Sequence, residues 1–372
     1  MLLRLATALL FLCAAVSHGA TTATTCNDFF AINGTKIFHL RDASHPVARQ
    51  RFALMRELGI RWDRIDLWWD HVEPAPGRWT WDLPDSVFDE FERNGVQWYP
   101  ILCYGAKDWE GRNAPRSDED FARWEQYVER TLTRYRGRAP YWSVWNEPNI
   151  PDFWKPEPRP EDYARMLRVT REAARRADPD AKLCAPSIAP LSGWDRKFVE
   201  RLYELGAKDD FDVFDYHYYR TDPPEEALER ELAEIRAVMA RHGDAKPVWV
   251  SEAGITSPIQ HKPESYERQA SLVARNLLLA RALGVERFFY FDLQNWHDDP
   301  EQSWDSTLGL VEAGGARKPS FSAVRTLIRE TCDTRPVGRV HGLGGVAEGV
   351  LMHNPADGTF TLSAWLTEKQ TS

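Results

Sequence analysis

Glu147 follows the run Tyr141-Trp142-Ser143-Val144-Trp145-Asn146, and Glu252 follows Val248-Trp249-Val250-Ser251. Both runs have the aromatic and β-branched make-up of a buried strand, so each carboxyl group is expected at a strand's C-terminal end. The two glutamates lie 105 residues apart, three βα units of about 35 residues each. Facing one another across a shared mouth, they suit the cleavage of a glycosidic acetal. That reaction needs a proton on the departing oxygen and electron density at the developing oxocarbenium carbon. Two carboxyl groups in unequal surroundings supply both.

A parallel barrel is the frame that brings such strand ends together. Short strand-like runs fall at 36–40, 61–67, 97–103, 141–145, 182–185, 213–217, 248–251 and 287–291. Amphipathic runs lie between or after them at 46–58, 84–94, 118–135, 160–177, 194–205, 225–242, 264–283 and 320–329. Pro160 with Glu161 and Asp162 reads as a helix start, and Gly95, Gly206, Gly243 and Gly284 as stops. Eight such units can form an open sheet or a closed barrel. A dinucleotide-binding open sheet needs a glycine-rich turn after its first strand, and Leu40-Arg41-Asp42-Ala43-Ser44-His45 contains no glycine. The expectation is an α/β chain with a (β/α)8 TIM barrel over 21–332 and functional residues at the strands' C-terminal ends. Beyond it, 346–354 and 359–366 read as strands joined by Pro355-Ala356-Asp357-Gly358. This small C-terminal β-hairpin or partial β-domain, within 333–372, is too slight to stand alone and should lean on the barrel.

Composition narrows the function further. Of 372 residues, 43% are hydrophobic and 28% charged, which suits a globular protein with a large core. A net charge of −9 disfavours nucleic acid and anionic membranes as partners. The arginines from Arg168 to Arg176 read as one wet helix face. Arg4, the apolar run 5–16 and the small residues near Ala20 have the three parts of a secretory signal peptide, so residues 1–20 are expected to be removed and the protein secreted. No later stretch is long and apolar enough for membrane insertion. Cys103 and Cys184 lie in strand-like runs and read as buried thiols, whereas Cys26 and Cys332 flank the barrel and could be joined in an oxidising compartment. Tryptophan, at 16 residues, is roughly three times its ordinary share. Flat apolar faces for sugar stacking are one reason for such an excess.

These motifs together resemble the clan A glycoside hydrolases. Tyr141-Trp142-Ser143-Val144-Trp145-Asn146-Glu147-Pro148-Asn149 looks like the clan's acid/base strand, and Trp249-Val250-Ser251-Glu252-Ala253-Gly254 like its nucleophile strand. Arg64, the loop Trp69-Asp70-His71-Val72-Glu73-Pro74-Ala75-Pro76-Gly77, His217 and Trp296 fall at matching places. The run Trp-Asn-Glu-Pro-Asn is similar to family 39, and family 5 shares the layout. Family 39 usually has Phe-Glu where this chain has Trp142 and Ser143, so no substrate is carried over. The resemblance implies a retaining mechanism with Glu252 as nucleophile and Glu147 as acid/base. It implies no metal and no cofactor, with an oligosaccharide, polysaccharide or simple glycoside as partner; the oligomeric state stays open.

The same resemblance gives Asn146 the sugar 2-hydroxyl. Arg64 would hold Glu252 ionised, although Asp66 or Asp70 is an alternative partner. Desolvation by Trp142, Trp145 and Pro148 would favour a neutral Glu147. His217 with Tyr218 or Tyr219 would orient Glu252 or a hydroxyl, and His39 is a further substrate contact. Trp296 would floor the subsite that holds the cleaved sugar, with Trp68, Trp109 and Trp154 as further platforms. Two other classes compete: a non-catalytic carbohydrate-binding protein on a glycosidase-like barrel, against which the intact glutamate pair argues, and a metal-dependent hydrolase using His39, His71 and His217, which lacks a first-strand His-x-His pair.

Overall fold

Eight parallel strands close into a barrel in sequence order: β1 (Phe30–Ile32), β2 (Trp62–Trp68), β3 (Gln97–Cys103), β4 (Tyr141–Val144), β5 (Lys182–Ile188), β6 (Val213–His217), β7 (Val248–Ala253) and β8 (Arg287–Tyr290). The ring closes where Phe30 pairs with Phe288 and Ile32 with Tyr290. The structure is a computed structural model that describes residues 26–34, 44–106, 113–190, 195–220, 224–257, 263–296, 306–343 and 347–366. The signal-like residues 1–20, the strand expected at 36–40, His39 and Trp109 lie outside them.

Local sequence explains the helical layer. The helices Pro46–Leu58, Pro160–Ala177 and Pro319–Thr331 each open on a proline, whose fixed φ suits the first turn. Helix Asp118–Arg134 opens on a capping box in which the Ser117 hydroxyl accepts from Asp120 N–H and the Asp120 carboxylate accepts from Ser117 N–H. Helix Pro160–Ala177 buries Tyr163, Met166, Leu167, Thr170, Ala173, Ala174 and Ala177, the three- and four-residue spacing of a stripe facing the sheet. The arginine-rich segment on this helix is not uniformly wet. Arg171 is buried and pairs with Asp212 at 2.7 Å, whereas Arg176 meets Glu125 and Glu129 on the surface.

The barrel is plugged at its N-terminal end. Trp62, Tyr99, Cys184, Trp249 and Phe289 fill the interior, and the Arg287 guanidinium lies 3.7 Å from the Trp62 ring centroid and 4.2 Å from that of Trp249. This cation–π layer closes one mouth and leaves the strands' C-terminal ends to form the other. Trp69, Trp98, Trp124, Trp142, Trp145, Trp154 and Trp249 are all fully buried, so much of the tryptophan excess builds core. Cys103 and Cys184 are buried, as expected; the side chain of Cys26 lies outside the described residues.

Two elements depart from the sequence reading. The first barrel strand is Phe30–Ile32, earlier than the strand expected at 36–40. A three-residue, wholly buried strand offers no periodic signal, whereas Lys36-Ile37-Phe38-His39-Leu40 is a longer run with β-branched and aromatic residues. The C-terminal sheet has three antiparallel strands in the order β11-β10-β9, with β10 (Ala347–His353) and β11 (Phe360–Leu366) forming the expected hairpin. The added β9 (Arg335–Leu343) carries Pro336, Gly338 and Gly342, which mask its strand character. β9 and β10 pack on helix Pro263–Ala282, so the sheet does lean on the barrel. Among the described residues, no helix is long and apolar enough to cross a membrane.

Candidate active site

The chain leaves β4 through Trp145, Asn146 and Glu147. Trp145 has φ 71° and Glu147 has φ 48°, both left-handed. For an L side chain that costs roughly 1–2 kcal/mol per residue, and such strain persists only where the surroundings impose it. Here Trp145 N–H donates to Leu102 O at 3.0 Å and Glu147 N–H to Ser187 O at 2.9 Å. The Trp145 indole donates to Phe153 O at 2.8 Å, and its ring sits edge-on to Trp124 and Trp154. Ser187, itself at φ 49°, is pegged in turn by Asp215, which accepts from Ser187 N–H at 2.8 Å, Ser187 O–H at 2.7 Å and Tyr99 O–H at 2.8 Å. Asp215 is fully buried beneath the mouth and ties β6 to Ser187 on β5 and Tyr99 on β3. The β6–β7 register shifts between Tyr216 and His217, so that His217 pairs with Glu252; such bulges re-aim side chains.

Arg64, on β2, organises the centre. Its Nη1 donates to Glu252 Oε1 at 2.6 Å and its Nη2 to Asn146 Oδ1 at 2.9 Å. Its partner is therefore Glu252, 188 residues away, rather than Asp66 or Asp70. Burial opposes the guanidinium charge, but Glu252 and further acidic neighbours outweigh it and hold Arg64 protonated. Tyr219 O–H donates to Glu252 Oε2 at 2.8 Å. Burial raises the Tyr219 phenol well above its ordinary range, and the adjacent Glu252 adds to this, so the phenol stays a donor. Burial alone would also raise Glu252, but His217, Arg64 and Tyr219 together carry its carboxyl below the usual 4.5. His217 is fully buried; its Nδ1 lies 2.7 Å from Glu147 Oε1 and 3.5 Å from Glu252 Oε2.

One ligand-type atom from each of Glu147, His217 and Glu252 lies within 4.8 Å of the other two, so the two glutamates converge across the barrel mouth. The same trio has the ligand types of a cation site. Arg64 and Tyr219 already occupy the two oxygens of Glu252, and a fixed guanidinium at 2.6 Å opposes a second cation.

Above the pair opens a cavity of about 460 Å³, whose wall includes Asn146, Tyr219, Tyr104, Phe153, Phe291 and Trp296. Trp296 stands at this wall and is 43% exposed. Trp68 is half-buried and its indole donates to Asp66 at 2.8 Å. Trp154 is wholly buried against Trp145 and Tyr163, which corrects its reading as a sugar platform. A larger groove of about 1000 Å³ runs along helices Asp82–Arg93 and Asp118–Arg134, but no strand end reaches it and its charged groups pair across it, as Arg134 does with Asp85.

Four of the residues that the sequence reading missed shape the site. Asn33 ties the end of β1 to β7 by donating to Ser251 O at 3.1 Å and lines the cavity, as do Tyr104 and Phe153. The fourth is Asp215, two positions before His217. On a strand, i and i+2 share a face, so an inward His217 already implied an inward Asp215.

Comparison with known proteins agrees with the barrel fold. Residues 118–310, just over half of the 372, match the family described as glycosyl hydrolase catalytic core. A β-xylosidase of Geobacillus stearothermophilus is 25% identical over 243 residues, which cover 58% of this chain and 47% of that one. The chain thus spans about half the length of the curated β-xylosidases it matches. In structure it is similar to a family 39 glycoside hydrolase from the gut symbiont Bacteroides cellulosilyticus, with TM-score 0.76, 22% identity, and coverage of 95% of this chain and 73% of that one. It is also similar to xylanase 10B from Thermotoga petrophila, with TM-score 0.62, 15% identity, and coverage of 85% and 99%. At those identities the two structures attest the barrel alone. The matched segment runs from the helix before β4 to beyond β8 and so contains both convergent glutamates, and this chain belongs to the glycosyl hydrolase catalytic core family.

Proposed function

We propose that this protein is a secreted retaining glycoside hydrolase that cleaves O-glycosidic bonds by double displacement, with Glu252 as nucleophile and Glu147 as acid/base. The observation that carries the reading is the convergence of the two carboxyl groups, with oxygens within 4.8 Å. Double displacement uses carboxyl groups about 5–5.5 Å apart, whereas an inverting enzyme needs about 6.5–9.5 Å to admit a water. In the first step a Glu252 oxygen bonds to the anomeric carbon as the glycosidic C–O bond breaks, and the proton of Glu147 passes to the departing oxygen. In the second, Glu147 takes a proton from water, the water oxygen bonds to the anomeric carbon, and the ester electron pair returns to Glu252. The secreted location rests on the signal-like residues 1–20.

Asymmetry between the glutamates supports the assignment. Glu252 has a guanidinium and a phenol donating to it and a lowered pKa, as an ionised nucleophile requires. Among the described residues the Glu147 side chain meets one hydrogen-bond partner, His217 Nδ1 at Oε1, which leaves Oε2 to carry the proton that the leaving group takes. Arg64 fixes Asn146 with Oδ1 inward, so its Nδ2 is the atom offered to a sugar 2-hydroxyl.

Arg64 also sets a pH limit. Activity is lost on the acid side as Glu252 protonates, and its lowered pKa puts that limb below about pH 4.5. Arg64→Met removes a counter-charge while burial remains, so the acid limb of kcat/KM should move to higher pH; Arg64→Lys should partly restore it. An unmoved limb would mean that Glu252 is not the group titrating. The reading as a whole is tested with an aryl 2-deoxy-2-fluoro glycoside, the xyloside first because the matched relatives are named β-xylosidase and xylanase. The expected result is a stable glycosyl adduct on the peptide containing Glu252. An adduct on another residue removes the nucleophile assignment.

A further inference from the structure

Among the described residues, the three non-glycine residues with left-handed φ are Trp145, Glu147 and Ser187, and all three meet at one place. Trp145 and Glu147 lead out of β4. Ser187 stands on β5, where the pairing with β6 shifts between Pro186 and Ile188. A bulge of this kind takes one residue out of the ladder and leaves its N–H without a strand partner. Asp215 supplies one. Its Oδ1 accepts from Ser187 N–H at 2.8 Å, and its Oδ2 accepts from the Ser187 hydroxyl at 2.7 Å and from the Tyr99 phenol at 2.8 Å. Burial first and the Asp215 charge second keep that phenol protonated. Since the Ser187 proton goes to the carboxylate, Ser143 is the donor where the two hydroxyls meet at 3.0 Å, and the same Ser143 hydroxyl reaches Trp145 O at 3.3 Å. A carboxylate can accept all three bonds, whereas an amide in its place turns an NH2 group against at least one of the donors. The carbonyl that this network holds, Ser187 O, accepts the Glu147 N–H at 2.9 Å.

We propose that Asp215 is a positioning residue for proton delivery: by fixing the bulge at Ser187 it sets the place and direction from which Glu147 reaches the leaving oxygen. It does so from beneath, since none of Asp215, Ser187 and Tyr99 lines the cavity. The connection runs to Glu147, whereas the oxygens of Glu252 are held by Arg64 and Tyr219. Left-handed backbone at Glu147 and Ser187 persists only while its surroundings impose it, so loosening this network lets both residues relax. A shift of about 1 Å at a reacting group can cost about 100-fold in rate. The inference rests on the hydrolase reading and adds to it the residue that aims the acid.

The test measures kcat/KM, which reports the first step, on aryl glycosides of the sugar that the native enzyme turns over best, with leaving groups graded from dinitrophenolate to phenolate. Asp215→Asn keeps the shape of the side chain and breaks the network. On the dinitrophenyl glycoside, whose aglycone departs without a proton, it should stay within about 3-fold of native, and on the phenyl glycoside it should fall about 10- to 100-fold. The deciding measurement places the same substitution in Glu147→Ala. With the acid already gone, Asp215→Asn should change kcat/KM on the phenyl glycoside by less than about 3-fold, because there is nothing left to aim. A loss of equal size on every leaving group, or one that persists in Glu147→Ala, would show a merely structural role and overturn the proposal. So would native kinetics across the series. Should Asp215→Asn fail to fold, Ser187→Ala decides by the same criteria: it removes one bond to the carboxylate and adds no donor, and its loss on the phenyl glycoside should be about 5- to 10-fold. Fluoro-glycoside labelling of the native enzyme keeps the two readings apart. A labelled Glu252 beside an Asp215→Asn loss that ignores the leaving group removes the role of Asp215 alone, whereas a native enzyme that neither labels nor turns over any glycoside removes the hydrolase reading and this inference with it.

Discussion

Glu252→Gln is expected to lower kcat by at least about 10⁴-fold on every glycoside, whatever the leaving group. The amide keeps the size of the carboxyl group, and Arg64 Nη1 can still donate to its oxygen, so the pocket is preserved while the attacking electron pair is lost. Leaving-group chemistry cannot compensate, because the missing bond is the one to the anomeric carbon. The shorter Glu252→Ala adds a second readout: azide entering the vacated space bonds to the same face of the sugar and displaces the aglycone, giving a glycosyl azide of inverted configuration. Turnover of Glu252→Gln within about 10-fold of native would remove Glu252 from the chemistry. Circular dichroism and a melting curve on the same variants separate loss of chemistry from loss of fold.

How legible the site was depends on whether a property is local or topological. Strands 97–103 and 213–217 agree with the sequence reading residue for residue, and helices 46–58 and 160–177 do too, because long runs with clear punctuation carry their own signal. Glu147 and Glu252 were found for the same reason, each following a strand motif. The partner of Arg64 was ambiguous, since Asp66 and Asp70 are near in sequence and Glu252 comes close only after the barrel closes. Tryptophan is a case where composition misleads: a barrel of this size can use an indole as filler or as a platform. Trp154 and Trp296 are alike in the sequence, and only packing separates the buried one from the exposed one. Asp215 was hidden because strand-end patterns point to the last residue of β6, whereas this carboxylate lies two residues deeper in the barrel.

Glu147→Ala should separate the two half-reactions, which no other substitution in this site does. With a dinitrophenyl glycoside the aglycone departs without a proton, so formation of the glycosyl ester should stay within about 10-fold of native; with an alkyl glycoside it should fall about 10²- to 10⁴-fold. The second step loses its base in either case, so the ester accumulates, a burst of phenolate precedes slow turnover, and KM falls with kcat. Azide should then accelerate turnover, since an anion needs no deprotonation and enters where the side chain was removed. Its product is a glycosyl azide of retained configuration, the opposite of the Glu252→Ala product, and this contrast assigns the two faces of the sugar to the two glutamates. His217 remains in the pocket with Nδ1 3.5 Å from Glu252 Oε2. If it were the base, Glu147→Ala would keep its second step, show no burst and gain nothing from azide, and the acid/base role would pass from Glu147 to His217.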